Sequence, residues 1–245
     1  MESKKLGFWS IVLLGINGII GSGIFLLPNK AMAIIGPASL LVMLFDMLLV
    51  LAITFCFAEA GGLFKENGGA YIYAKEAFGD FVGYEVGFLS WATRIIAFAT
   101  MAVGFATALG GIIPALSSDM MKNVIVSVIF LVLAVINLLG IKLYEVIQNV
   151  ATIAKLLPFV LFIGIGIFYI EPANFTPLFP HGVYTPGSFG TAAVMLFFAF
   201  TGFESLGVAA AEMENPQKNL PKATLITIFT VSAIYILLLA CAIGI

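Results

Sequence analysis

Apolar residues run through this chain in long, nearly unbroken stretches, and polar residues gather between them. The stretches near Trp9–Ile34, Ala38–Phe57, Val82–Leu109, Val124–Leu139, Val150–Tyr169, Phe189–Ala211 and Ala223–Ile243 stand out. A bilayer core about 30 Å thick is crossed by roughly 20 residues of helix, so each stretch predicts a transmembrane helix. The strands of a membrane barrel would instead alternate in polarity over segments of about 10 residues, which these runs do not. Between the runs, Gly36-Pro37 opens the second span, Gly61 to Asp80 is polar and rich in glycine, and Pro114 to Lys122 joins spans three and four. The segment Glu171 to Ser188 holds Pro172, Pro177, Pro180 and Pro186 and reads as an irregular loop.

Composition sharpens this pattern into a fold class. Of 245 residues, 62% are hydrophobic and 10% charged, and the mean hydropathy is +1.14. Soluble domains carry about 25% charged residues. With so few charges the outer face must meet lipid, which excludes a soluble enzyme, a nucleic-acid-binding domain and a disordered regulator. The formal charge of −2 carries no basic patch for a polyanion. Cys56 and Cys241 sit in apolar runs without metal-ligand or disulfide spacing, and a single histidine, His181, excludes a histidine metal site. The first apolar run is too long for a signal-peptide core and lacks a small-residue cleavage site. The expectation is an all-α polytopic membrane protein forming one transmembrane domain over 1–245, with neither metal nor cofactor.

Lysine distribution orients the spans. With a cytoplasmic N-terminus, Lys4, Lys5, Lys65, Lys75, Lys142, Lys218 and Lys222 fall on one side and only Lys30 and Lys122 on the other. An odd number of spans then leaves Ile245 outside with no tail, which reads as an incomplete version of a longer protein.

Two spans carry interruptions. Gly21-Ser22-Gly23 lies mid-run in the first, and Thr201-Gly202-Phe203-Glu204 in the sixth. Interior glycines weaken a helix by about 1 kcal/mol each relative to alanine. Non-helical backbone at membrane depth requires surrounding protein or a water-filled cavity, and paired interruptions in corresponding spans point to a transporter's substrate site. Taken alone, Gly21 and Gly23 read equally well as small residues for close helix packing. The glycines superficially suggest a phosphate loop, but the following Lys-Ser/Thr is absent.

The motifs themselves are similar to those of amino acid permeases. Gly18-Ile19-Ile20-Gly21-Ser22-Gly23-Ile24-Phe25-Leu26-Leu27-Pro28 opens the series. Glu66-Asn67-Gly68-Gly69-Ala70-Tyr71-Ile72-Tyr73 follows, then Gly202-Phe203-Glu204-Ser205, Glu212-Met213-Glu214-Asn215-Pro216 and Asn219-Leu220-Pro221-Lys222-Ala223. In this order they resemble the amino acid–polyamine–organocation (APC) superfamily. The resemblance implies a leucine-transporter-type inverted-repeat fold with helices 1 and 6 discontinuous. It places a first five-helix repeat at about 8–170 and the start of a second at about 188–245, the chain being the N-terminal part of about twelve spans.

It also implies a substrate site. An amino acid zwitterion needs donors for its carboxylate and acceptors for its ammonium. The second half of span one would offer bare N–H groups from Ser22, Gly23 and Ile24 at its positive end, and glycine there permits close approach. By resemblance, carbonyls of Ile19, Phe198 and Thr201 would receive the ammonium. Phe198 stands where some members carry an aromatic gate; an ordinary core- or lipid-facing phenylalanine is the equal alternative.

Charges within spans are costly, about 2.5–3.5 kcal/mol on insertion scales, and each is a functional candidate. Glu204, in the break of span six, matches the family glutamate and would relay gating or protons; the plainer reading is a cap on loose backbone donors. Lys155 resembles the span-five lysine that replaces sodium in some proton-coupled members, where a desolvated amine loads and releases a proton. The alternative is a lysine snorkelling to the interface. Arg94 and Asp46 have no partner that the sequence fixes; Asp46, Glu85 and Glu204 are all open to Arg94, as is a position facing the substrate path. His181 reads as a solvated loop residue. The Gly-Gly and tyrosines of 65–78 fit either an inner gate or a surface loop.

The resulting expectation is a secondary transporter of amino acids working by alternating access, by proton symport or by exchange, in the cell membrane, with no covalent chemistry. A sodium-coupled or polyamine carrier of the same fold, and a non-transporting membrane subunit, are the alternatives. The isolated chain is expected to show no saturable uptake in proteoliposomes.

Overall fold

The computed structural model describes residues 5–21, 23–64, 68–138, 141–180 and 183–245, with the side chains at 141–145, 148, 209, 211 and 212 outside the description. Ser22, the motif residues Glu66 and Asn67, His181, Lys4 and Lys65 therefore lie outside the described residues, as does the side chain of Lys142. The helices are α1 (Phe8–Ile19), α2 (Gly23–Ile35), α3 (Ser39–Leu63), α4 (Ala70–Phe78), α5 (Asp80–Ile112), α6 (Asp119–Leu138), α7 (Ile141–Gly166), α8 (Ser188–Phe197) and α9 (Pro216–Gly244). Short 3-10 segments join several of them, and no β-strand occurs among the described residues.

Stretches long and apolar enough to cross a membrane are Gly23–Leu63, Asp80–Ile112, Asp119–Leu138, Asn149–Tyr169, Ser188–Val208 and Pro216–Gly244, with the shorter apolar helix Phe8–Ile19 in addition. The chain is an all-α, polytopic membrane protein. The 41-residue run Gly23–Leu63 is about twice what one crossing needs. It is divided at Gly36, whose φ of +66° favours glycine, and at the 3-10 turn Gly36–Ala38. Span one of the sequence reading is thus α1 plus α2, and span two is α3.

Several helices begin earlier than hydropathy alone suggests, α6 at Asp119 instead of Val124 among them. α7 starts at Ile141 instead of Val150 and α9 at Pro216 instead of Ala223, because apolarity marks where a helix enters lipid, not where its hydrogen bonding begins. Asn215 at φ +44° ends the preceding segment, and Pro216 at the first position suits the start of α9.

The chain forms two compact units. The first comprises residues up to Ile72 together with Asn149–Ile245. Within it α9 packs against both α1 and α3, and α8 packs against α2 and α3. The core holds Ile11, Ile20, Val42, Met43, Leu196, Phe200, Leu206, Ile228, Tyr235 and Leu239. Along α3 the buried positions Val42, Asp46, Val50, Thr54, Ala58 and Gly61 recur every three or four residues, which is one helical face.

The second unit, Tyr73–Gln148, pairs α5 with α6. Phe98 and Phe130 meet edge to face at 5.0 Å, and Lys75 pairs with Asp80 at 3.2 Å at the start of α5. Val128, Leu131 and Val135 of α6 are exposed, a surface suited to lipid.

Candidate functional site

The two interruptions are real breaks in the helices. α1 stops at Ile19, Ile20 turns to φ −70°, ψ 91°, and α2 starts at Gly23. α8 stops at Phe197, a 3-10 turn covers Phe198–Phe200, Thr201 is extended, and Gly202 adopts φ +121° before a second 3-10 helix, Phe203–Glu212. Both ends therefore expose backbone groups that an unbroken helix would pair internally.

At the first break those groups are met from a distance. Lys155 of α7 turns its ammonium onto the end of α1. Its Nζ donates to the Asn17 side-chain Oδ1 at 2.5 Å, to the Ile20 carbonyl at 2.9 Å and to the Asn17 carbonyl at 3.2 Å. The snorkelling alternative is set aside, since the amine faces the break. A cation at a helix C-terminus also meets the negative end of the helix dipole.

The second break is held by its own neighbours. The Gly202 N–H donates to Glu204 Oε2 at 2.8 Å. The Ser205 hydroxyl, at 2.5 Å, and the Ser205 N–H, at 3.1 Å, both donate to the Gly202 carbonyl. Glu204 thus caps one loose donor of the break from the first turn of the helix Phe203–Glu212. The Phe198 carbonyl accepts from the Thr201 hydroxyl at 2.8 Å and the Thr201 N–H at 3.3 Å.

The breaks lie against each other. A Cβ at Gly202 would overlap the Gly18 carbonyl, and one at Gly23 would come within 3.0 Å of the Ala199 Cα. Glycine at these positions serves break and packing together. Tyr235 of α9 bridges both: its hydroxyl is 3.1 Å from the Ala199 carbonyl and 3.5 Å from that of Ile19. Thr227, two turns earlier on α9, donates to the Val12 carbonyl at 3.3 Å. At the end of the fold that holds the start of α9, the Glu214 N–H donates to the Leu6 carbonyl at 3.0 Å, tying the start of α1 to the end of the helix Phe203–Glu212. Gly69 of the Gly-Gly motif lies against the Gly207–Val208 backbone, where a Cβ would stand 3.2 Å away.

The candidate residues are therefore distributed as follows. Ile19 and Ile24 are buried beside the first break, Gly21 forms its bend, and Gly23 opens α2. Phe198 is 53% exposed and Thr201 exposed at the second break. Lys155 and Glu204 serve different breaks, the first and the second. Asp46 is 1% exposed on α3, and neither carboxylate oxygen has a hydrogen-bond partner among the described residues. Arg94 and Asp46 fall in different units, and within its own unit Arg94 makes no ion pair with Glu85 among the described residues. Sequence reading missed Tyr235 and Asn17. A tyrosine in the middle of an apolar span was the available signal, because a buried phenol needs a hydrogen-bond partner.

Comparison with known proteins gives this geometry its family. The amino acid permease family model matches residues 6–245. An uncharacterised transporter of Mycobacterium tuberculosis is 33% identical, over 97% of this chain and 54% of its own length. The branched-chain amino acid permease of Bacillus subtilis is 28% identical over 99% of this chain and 55% of its own. The serine/threonine exchanger of the same organism is 31% identical over 95% and 53%. The chain spans about half the length of the curated relatives it matches. Broken apolar helices that meet back to back, and a family match along nearly the whole chain, lead to one statement: the chain belongs to the amino acid permease family.

Proposed function

We propose that this chain supplies the substrate-gripping core of a secondary amino acid transporter working by alternating access, with its N-terminus in the cytoplasm of the cell that carries it. The first N–H groups of α2, at Gly23 and Ile24, and Ser22 before them take the substrate carboxylate. Carbonyls at the ends of the first half-helices, at Ile19, Phe198 and Thr201, face the ammonium. The family match and the names of two relatives support an amino acid as substrate.

The observation that carries the reading is Lys155, whose ammonium holds the end of α1 at the break. As a cation it grips the Asn17 and Ile20 oxygens; on losing its proton it gives up charge-assisted bonds, each worth about 1.5–3 kcal/mol. The first half of span one is then free to shift. Proton traffic and opening of the site are coupled through one side chain, which supports proton symport or proton-linked exchange over sodium coupling. Glu204, by fixing Gly202, keeps the second break in register and serves as the gating partner.

The test is radiolabelled amino acid binding to the purified chain in lipid nanodiscs, with a competition panel, across pH. Free α-amino acids are expected to compete, while their methyl esters and N-acetyl derivatives do not, because each derivative removes one charge of the zwitterion. In Lys155→Met the pH dependence of binding is expected to vanish, and replacing sodium by choline is expected to change nothing. Competition by esters as strong as by free amino acids would end the zwitterion reading.

A further inference from the structure

Asp46 plays no part in the site above, yet it is buried to 1% exposure within a membrane helix with both oxygens unpartnered among the described residues. An isolated carboxylate taken out of water is unfavourable by many kcal/mol unless it gains a countercharge. Three further buried oxygens in the same unit lack partners among the described residues: Ser232 Oγ at 1%, Ser188 Oγ at 8% and, about two turns along α3 from Asp46, Thr54 Oγ1 at 0% residue exposure.

Helix register brings these groups to one level. Gly62, near the end of α3, lies 3.6 Å by its absent Cβ from both Gln217 and Pro221 at the start of α9. The start of α3 and the end of α9 both meet the loop 171–178, through Ala38 N–H to the Leu178 carbonyl at 3.0 Å and Glu171 N–H to the Gly244 carbonyl at 2.9 Å. The two helices are therefore antiparallel. Asp46 lies about 24 Å along α3 from Gly62 at 1.5 Å per residue. The same rise along α9 reaches residues 233–237, next to Ser232. The first turn of α8, which carries Ser188, is pinned to the same turn of α3 by the Phe45–Phe189 ring pair at 5.4 Å.

The geometry points to a cation site at Asp46: its carboxylate, with hydroxyl oxygens of Ser232 and Ser188 from the two helices packed on α3, takes a small monovalent cation, a proton or an alkali ion. Among the described side chains, no charged group on the packed elements is shown paired with Asp46. α8 carries none. The lysines of α9, Lys218 and Lys222, lie at the Gly62 end of the helix, and the Tyr235 hydroxyl is committed to Ala199 and Ile19. Cys241 lies further along α9, Lys30 of α2 is exposed, and Glu204 is bonded to Gly202. The site is separate from Lys155, which serves α1, so the fold provides two cation positions on different helices.

The experiment uses the purified chain in lipid nanodiscs, wild type against Asp46→Asn and Ser232→Ala. In the sodium arm, thermal unfolding is followed in sodium chloride and in choline chloride at equal ionic strength. In the proton arm, the infrared carbonyl stretch of a protonated carboxyl is followed across pH. One arm is expected to respond in the wild type and to lose that response in Asp46→Asn; the responding arm names the cation. Ser232→Ala, which keeps the carboxylate, is expected to shift the half-effect cation concentration by roughly fivefold, the equivalent of one ligand hydrogen bond. A wild type silent in both arms, or an Asp46→Asn variant with an undiminished response, overturns the proposal. If Asp46→Asn does not fold, an unshifted Ser232→Ala response overturns it instead. Amino acid binding is a separate readout, so the outcome here does not depend on the transport reading.

Discussion

The two breaks look alike in sequence, a glycine-containing interruption of an apolar run, yet they are held in opposite ways. The second is stabilised within its own segment: Glu204 reaches back two residues to Gly202, and Ser205 three. The first relies on a residue 135 to 138 positions away, since Lys155 donates to Ile20 and to Asn17. A break capped by its neighbours keeps its shape through any motion of the surrounding helices. A break capped by another helix is formed only while that helix is in place, and here the cap is a side chain of α7. The contrast is one of reach: the caps of Gly202 come from within its own segment, and those of Asn17 and Ile20 come from α7.

The largest blow to this arrangement is expected where the two breaks touch. Gly202→Ala forces a side chain into φ +121° and drives its Cβ into the Gly18 carbonyl. Left-handed strain of about 1–2 kcal/mol and overpacking of about 1–3 kcal/mol predict a loss of roughly 3 kcal/mol, read as a lowered unfolding midpoint in detergent or nanodiscs. An unchanged midpoint would mean that the breaks are not in contact. Next comes Lys155→Met, which keeps the stem and removes the hydrogen bonds to α1. About 2 kcal/mol is expected to be lost, with faster hydrogen exchange confined to the end of α1 and none added around Gly202. Acceleration at both breaks alike would erase the contrast. The smallest effect is expected from Tyr235→Phe, about 1 kcal/mol, with exchange rising modestly at both breaks because one hydroxyl serves the Ala199 and Ile19 carbonyls.

Local interactions are the ones that a sequence pattern can display. Gly202 followed at short range by a carboxylate and a hydroxyl is a self-sufficient pattern, and the cap by Glu204 was among its readings. Gly21 and Gly23 marked the first break for the same reason: helix propensity is a property of adjacent residues. The lysine posed the opposite case. Whether Lys155 snorkels or turns inward depends on the rotation of α7 about its axis relative to α1, which no spacing within α7 encodes. Tyr235 has no partner within its own span, because the carbonyls that need it appear only once α9 has packed against α1 and α3. Asp46 was noticed as a charge in a span, but which helices bury it follows from the packing of α8 and α9 on α3.

Hydrophobic run length thus determined by itself that this chain is a bundle of membrane-crossing helices, since the bilayer asks every apolar stretch the same question, one of length. Local backbone chemistry determined where two of those helices stop. Tertiary structure decided which loose carbonyls receive a cation, which glycines touch, and which carboxylate is left without a partner. Those outcomes rest on axial rotation and register between helices far apart in the chain, and a pattern repeating every 3.6 residues fixes a face without naming the neighbour that meets it.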